Sequence, residues 1–345
     1  MASVSQLGYV GVGTSDEKAW QDLATNILGM RVVPGDDRAI SYLRMDEYHH
    51  RLELSANGKD DLEFVGWEVP DPATLQRVAQ QLEDGGVKVT AGTRDEADGR
   101  RVVDLFKCVD PNGIPTEVFC GRPVNQQPFH PARAMSGFKT GDMGLGHILV
   151  YAKNLDETTR FYRDLLGFRV SDFTEVRTSG GKIRLAFLHC NPRHHSIAIL
   201  EAPVAPKRIN HIMFECNSLD DIGSGRDLCL ERGVPIAIDL GRHMNDHVVS
   251  FYLANPSNFA LEYGWGGRTI DQATWQAHEM HYGTSLWGHE RSWLPPDKTA
   301  EARTLRAKAA ADAQREPVQV MPGNHVLSHG VCPWWDKIKA SAGNT

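Results

Sequence analysis

Nowhere does the chain carry about 18 uncharged apolar residues in succession, so no membrane-spanning helix is expected. The N-terminal MASVSQLGYVGVG has no basic segment leading into a long apolar run, and no export signal is expected. Six cysteines, Cys108, Cys120, Cys190, Cys216, Cys229 and Cys332, form neither a CxxC pair nor a zinc-ribbon spacing. That favours reduced, packed thiols in a cytoplasmic protein over a disulfide framework. Basic charge is also short: 37 Lys and Arg stand against 44 Asp and Glu, for a net charge of -7. The cations are scattered, which excludes the basic face that a nucleic-acid backbone requires.

What remains is a soluble chain of 345 residues, 41% hydrophobic, long enough for two domains of ordinary size and something short. Its 15 histidines are unevenly placed: three precede residue 136 and ten fall between His147 and His289. A histidine-based site therefore belongs in the second half.

The chain is a duplication. QLGYVGVGTSDEKAWQDLATNILGMRVV from Gln6 aligns with GLGHILVYAKNLDETTRFYRDLLGFRVS from Gly144 at an offset of 138. FVGWEVPDPATLQRVAQQLEDGGVKV from Phe64 aligns with HIMFECNSLDDIGSGRDLCLERGVPI from His211 at 147, and Asp110-Pro111 aligns with Asn255-Pro256 at 145. Each match reads as a strand, a polar cap, an amphipathic helix and further strands, or as strands turning at Asx-Pro. The expected architecture is α+β: two tandem domains, each of two βαβββ modules, with mixed sheets. Residues 1–135 form the first domain, 136–290 the second and 291–345 an extension. A Pro- and Gly-rich linker spans Gly121 to Asp142. The extension offers one Ala-rich charged helix and an aromatic end, PGNHVLSHGVCPWWDK, and is expected to brace the fold or an oligomer contact, with an active-site lid as the alternative.

Equivalent positions differ where chemistry differs. Tyr9 aligns with His147, Phe64 with His211, and Glu117 with Glu262. Only the second copy can converge two imidazoles and a carboxylate. That set caps one face of an octahedral ion and leaves three adjacent positions open, the facial triad of non-haem Fe(II); Mn(II) shares the same preferences and stays open. Leu149, Ala186 and Phe187 flank these positions and are expected to wall an apolar pocket.

The segments GLGHILVY, FLHCNPRHHSIA, KRINHIMFE, GRHMNDHVVSFYLANPSNFALEYGWG and SLWGHE resemble the type I extradiol ring-cleavage dioxygenases of the vicinal oxygen chelate superfamily. Gly241, His243, Phe251, Tyr252, Asn255, Pro256 and Glu262 meet the family's composite motif. Asn258 departs from its usual Gly or Pro, a change the turn should survive because Asn tolerates positive φ. The resemblance implies His147, His211 and Glu262 as metal ligands and His195 as the acid-base histidine. It also implies His243 and Tyr252 as partners of the bound substrate or oxygen, with Asn245 and Asp246 lining the same pocket. His194, His247 and Thr284 are weaker candidates. The implied reaction is cleavage of a biaryl, bicyclic or 3-substituted catechol, such as 2,3-dihydroxybiphenyl, by O2 in aromatic hydrocarbon catabolism. A homo-oligomer, an octamer in the family's manner, is expected. An isomerase or lyase of the same superfamily and a non-catalytic aromatic-binding protein are the competing readings.

Overall fold

The structure is a computed structural model that describes residues 1–312. Cys332 and the aromatic-rich end lie outside the described residues. Four βαβββ modules are present, two to each sheet. In every module the first strand pairs in parallel with the last: Gln6–Gly13 with Leu52–Ser55, Leu62–Val69 with Pro115–Cys120, His147–Ala152 with Ile197–Glu201, and Ile209–Cys216 with Ala260–Trp265. The two first strands of each half then pair antiparallel at the sheet centre. The sheets are mixed, as the repeat predicts.

Local sequence explains why the copies coincide. The first helix of each half is capped by a side chain: Ala19 N–H donates to Asp16 Oδ1 at 2.9 Å, and Glu157 N–H donates to Asn154 Oδ1 at 3.0 Å. Both helices pass into a π-turn, Ala24–Leu28 and Phe161–Leu165. Gly29 (φ 84°) and Gly167 (φ 77°) then adopt the left-handed conformation that a side chain would resist.

The halves dock by the same contact used twice. The repeat makes Trp20 equivalent to Thr158, and Asn112 to Ser257. Trp20 Nε1–H donates to Ser257 Oγ at 2.8 Å, and Asn112 Nδ2–H donates to Thr158 Oγ1 at 3.0 Å. Thus the Asx-Pro turn of each half sits on the first helix of the other. One apolar core, from Leu7 and Trp67 to Phe214 and Leu261, runs through both.

The second sheet is larger and rolled. Its edge strands, His278–Met280 and Ser285–Gly288, lie at opposite ends of a ten-stranded order. Laid flat, those edges would stand about 43 Å apart at 4.8 Å per strand. The chain from Met280 to Ser285 reaches at most about 18 Å. The sheet therefore curls into a trough, and its concave side holds the site. At Asn258 φ is 57°, so Asn supplies the turn where the family uses Gly or Pro. Among the described residues no helix is long and apolar enough to cross a membrane, and the five described cysteines are free.

Candidate metal centre

His147 opens its strand, and His211 and Glu262 each stand third on theirs. These strands are neighbours, with Met213 in register with both His147 and Glu262. The three side chains meet at the trough floor, and all are buried. His147 Nε2 lies 3.1 Å from His211 Nε2, and Glu262 Oε2 lies 3.2 Å from the first and 3.3 Å from the second. Three donors about 2.1 Å from one divalent ion stand roughly 3.0 Å apart at right angles, so the triangle fits a facial set.

Hydrogen bonding supports that fit. His211 Nδ1–H donates to Asn210 Oδ1 at 2.8 Å, and Asn210 is held in turn by Tyr151 Oη at 2.6 Å. His211 Nε2 therefore presents a lone pair to a carboxylate oxygen, a repulsive pairing that a cation between them reverses. Burial, above all, depresses His211 to about 3, which keeps the ring neutral as a ligand must be. Burial acts to raise Glu262, yet His147 and His243 hold it well below the usual carboxylate range. Its oxygens are divided: Oε2 faces the His147 and His211 imidazoles, while Oε1 accepts from Ser250 Oγ at 2.6 Å. Behind Ser250 stands His289, 3.3 Å away and fixed by Ser285 Oγ at 2.9 Å.

A second group, His147, His195 and Asp246, is also close enough to be considered for a metal. It is a poorer one, because Asp246 Oδ2 is 3.8 Å from His195 Nδ1 and that nitrogen already faces His194 Nδ1 at 3.1 Å. His194 Nε2–H in turn donates to Asp172 Oδ2 at 2.8 Å. His194 thus links Asp172 to His195, a more definite place than its sequence position indicates. His243 Nδ1–H donates to the Thr284 carbonyl at 3.2 Å, and its Nε2 lies 2.8 Å from Tyr252 Oη and 3.3 Å from Glu262 Oε1. Burial opposes protonation of His243, but Glu262 and Asp246 raise it above the ordinary imidazole value. Burial lowers His195 and His289 well below it. One buried site therefore holds imidazoles driven in opposite directions.

His147, His195, His211, His243, Tyr252 and Glu262 all line a cavity of about 550 Å³. Asn245, Asp246, Leu149, Phe187 and Thr284 line it too. Ala186 does not. Adjacent strand residues face opposite sides of a sheet, so with Phe187 turned to the cavity, Ala186 packs in the core with Leu188 and Ile197. His247 lies off the cavity, 3.4 Å from Arg268. The extension does more than brace the fold. Its helix, Pro296–Asp312, supplies Ala302, Leu305 and Arg306 to the cavity wall.

The first half shows what the same frame becomes without a metal set. Tyr9 Oη donates to Glu117 Oε2 at 2.8 Å. Arg100 forks onto Glu117 at 2.9 and 3.0 Å, reaches Glu53 at 2.8 Å, and lies 3.7 Å over the Phe64 ring. A guanidinium supplies the positive charge there. Arg100→Ala strands two buried carboxylates and should destabilise the protein by about 3–5 kcal/mol. Urea unfolding measures the loss, which adding Glu117→Gln should reduce.

A profile of the Glyoxalase/Bleomycin resistance protein/Dioxygenase superfamily matches residues 144–263, and one for the first domain of dihydroxybiphenyl dioxygenase matches residues 7–56. The chain is 41% identical to the 1,2-dihydroxynaphthalene dioxygenase of Sphingobium xenophagum, across 84% of this chain and 96% of that one. It is 37% identical to the iron-dependent extradiol dioxygenase of Rhodococcus jostii, across 84% and 98%. A crystal structure of catechol 2,3-dioxygenase superposes with a TM-score of 0.78 at 41% identity, across 84% of this chain and all of that one. With two βαβββ pairs, a cluster of two histidines and one glutamate in the second and relatives this near over almost their whole length, the chain belongs to the extradiol ring-cleavage dioxygenases of the vicinal oxygen chelate superfamily.

Proposed function

We propose that this protein cleaves the ring of a catechol beside its two hydroxyls, with insertion of both atoms of O2, at one Fe(II) held by His147, His211 and Glu262. The observation that carries the reading is the buried triangle of donors, 3.1 to 3.3 Å on a side, in the wall of a cavity. Its near relatives bear the names of a dihydroxynaphthalene dioxygenase and an iron-dependent extradiol dioxygenase. The preferred catechol carries a second ring or a 3-substituent, because about 550 Å³ is more room than one small ring requires. Mn(II) is the alternative ion, and metal analysis of anaerobically purified protein separates the two.

When bound, Fe(II) supplies Lewis acidity toward the vicinal hydroxyls and the redox chemistry that engages O2. His195 Nε2 takes the proton from one substrate hydroxyl and later returns it. Tyr252 Oη and His243 Nε2 orient the resulting oxyanion and stabilise its charge. Asn245 and Asp246 bound the polar end of the pocket, while Phe187 and Leu149 flank the ring and exclude water. The division at about residues 135 and 290 follows the repeat. Octameric assembly and a cytoplasmic location belong to the same proposal, the latter supported by the free thiols.

Fe(II)-loaded protein should consume O2 with 2,3-dihydroxybiphenyl, 3-methylcatechol and a bicyclic catechol and yield a yellow ring-opened product. An oxygen electrode and absorbance follow both. No O2 uptake on any of the three overturns the reading.

A further inference from the structure

We propose that the cavity accepts a catechol whose ring substituent ends in an anionic group, held by Arg291 beneath the helix Pro296–Asp312. The inference rests on the ring-cleavage reading above. Strand register lays Glu262, Tyr252, Ile238 and Arg291 on one row across the sheet, and all four line the cavity. At 4.8 Å per strand, the row carries the Arg291 backbone roughly 14 Å from that of Glu262. One end of the row is the metal centre and the other lies beyond a single catechol ring.

Charge at the outer end is unevenly satisfied. Lys298 bonds Ser179 and stands 3.7 Å from Glu301, which also accepts from Ser179 N–H at 2.7 Å. Arg306 and Arg303 both bond Glu290, the latter at 3.0 Å. The Arg291 guanidinium lines the same cavity and has no hydrogen-bonded or ion-paired side chain among the described residues, although the charge of Glu290 reaches it. A partly buried guanidinium that no carboxylate contacts directly is costly, and an anion entering the cavity would offset that cost.

The helix makes this end into a room rather than an opening. Glu301 and Lys298 latch it to the hairpin tip at Ser179, and Leu305 and Ala302 present apolar surface over the cavity. The matched relatives use 84% of this chain and 96 to 98% of their own length. About a sixth of the chain therefore has no counterpart in them, and the duplication ends near residue 290. The roof lies beyond the duplicated residues, and it should set the substrate range at the distal end.

The test compares 2,3-dihydroxybiphenyl with its 4′-carboxylate derivative. Binding is read by anaerobic calorimetry and turnover as kcat/KM. The wild-type protein should favour the carboxylate by at least about tenfold, the scale of one charge-assisted hydrogen bond. In Arg291→Gln the ratio should collapse toward one, and Arg291→Lys should keep most of it. Leu305→Trp should weaken binding of both biaryls while sparing 3-methylcatechol in comparison. A wild-type ratio at or below one, or a ratio unmoved by Arg291→Gln, overturns the proposal. A retained binding ratio without turnover of either compound upholds it and refutes ring cleavage instead.

Discussion

His211→Ala is expected to strip the protein of iron and reduce ring cleavage to background. The triangle is broken by that change: once Nε2 is removed, only His147 and Glu262 remain of it, 3.2 Å apart on one edge. The next imidazole, His195, turns Nδ1 to His194, and His243 is held by Thr284 and Tyr252. The loss should far exceed the roughly 10–100-fold fall in affinity typical when only a hydrogen bond supporting a ligand is removed. Asn210→Ala supplies that internal scale, since it removes the acceptor for His211 Nδ1–H, with its tie to Tyr151, and leaves all three donors of the triangle in place. Iron content after anaerobic gel filtration is the direct measurement. Thermal unfolding is the second: Fe(II) should raise the wild-type midpoint, because a ligand that binds only the folded state stabilises it, and should leave His211→Ala unmoved. Wild-type iron content in the variant would refute the assignment.

Most of this frame is legible in the chain because a duplication writes each element twice. A cap, an apolar face and Leu-Gly at offset 138 fix the first strand and helix of each half, down to paired left-handed glycines at Gly29 and Gly167. Asking where the copies diverge isolates His147 and His211. It cannot show what fills the first site, because Arg100 comes from the short helix Arg94–Arg100, outside the aligned strands. His49-His50, by contrast, repeats His194-His195 at offset 145, and both pairs face through Nδ1 at 3.1 Å. That signal is readable in the repeat, and it shows the histidine pair to belong to the duplicated frame. Ala186 fails for a simple reason: strand period assigns alternate residues to opposite faces, and sequence alone does not say which parity meets the cavity. The roll of the second sheet, which brings Arg291 and the last helix over the site, depends on a short connection between distant edges. Ser250 and His289, behind Glu262, emerge only once that roll is known.

The same geometry makes His195 the group whose removal should separate chemistry from metal binding. Asp172 can only accept, so His194 carries its proton on Nε2. In a neutral His194 the Nδ1 lone pair then accepts from His195 Nδ1–H, leaving His195 Nε2 as a base in a cavity-lining ring. His195→Ala should keep its iron yet lose on the order of 10²–10⁴ in kcat, the usual contribution of a positioned acid-base group. Asp172→Asn tests the relay without touching the cavity. Asp172 Oδ1 also accepts the His278 backbone N–H at 3.0 Å. An amide has one oxygen for these two donors, and the backbone N–H cannot change its character, whereas His194 can change tautomer. The amide NH2 would therefore face His194, move its proton to Nδ1, and force the His195 proton onto Nε2, where a base needs a lone pair. Asp172→Asn should thus bind iron and catechol normally and lower kcat by at least about tenfold, within the range set by loss of the base itself. Steady-state oxygen uptake with iron content measured on the same sample decides it: wild-type kcat in Asp172→Asn would refute the relay, and iron loss in His195→Ala would make His195 a ligand instead.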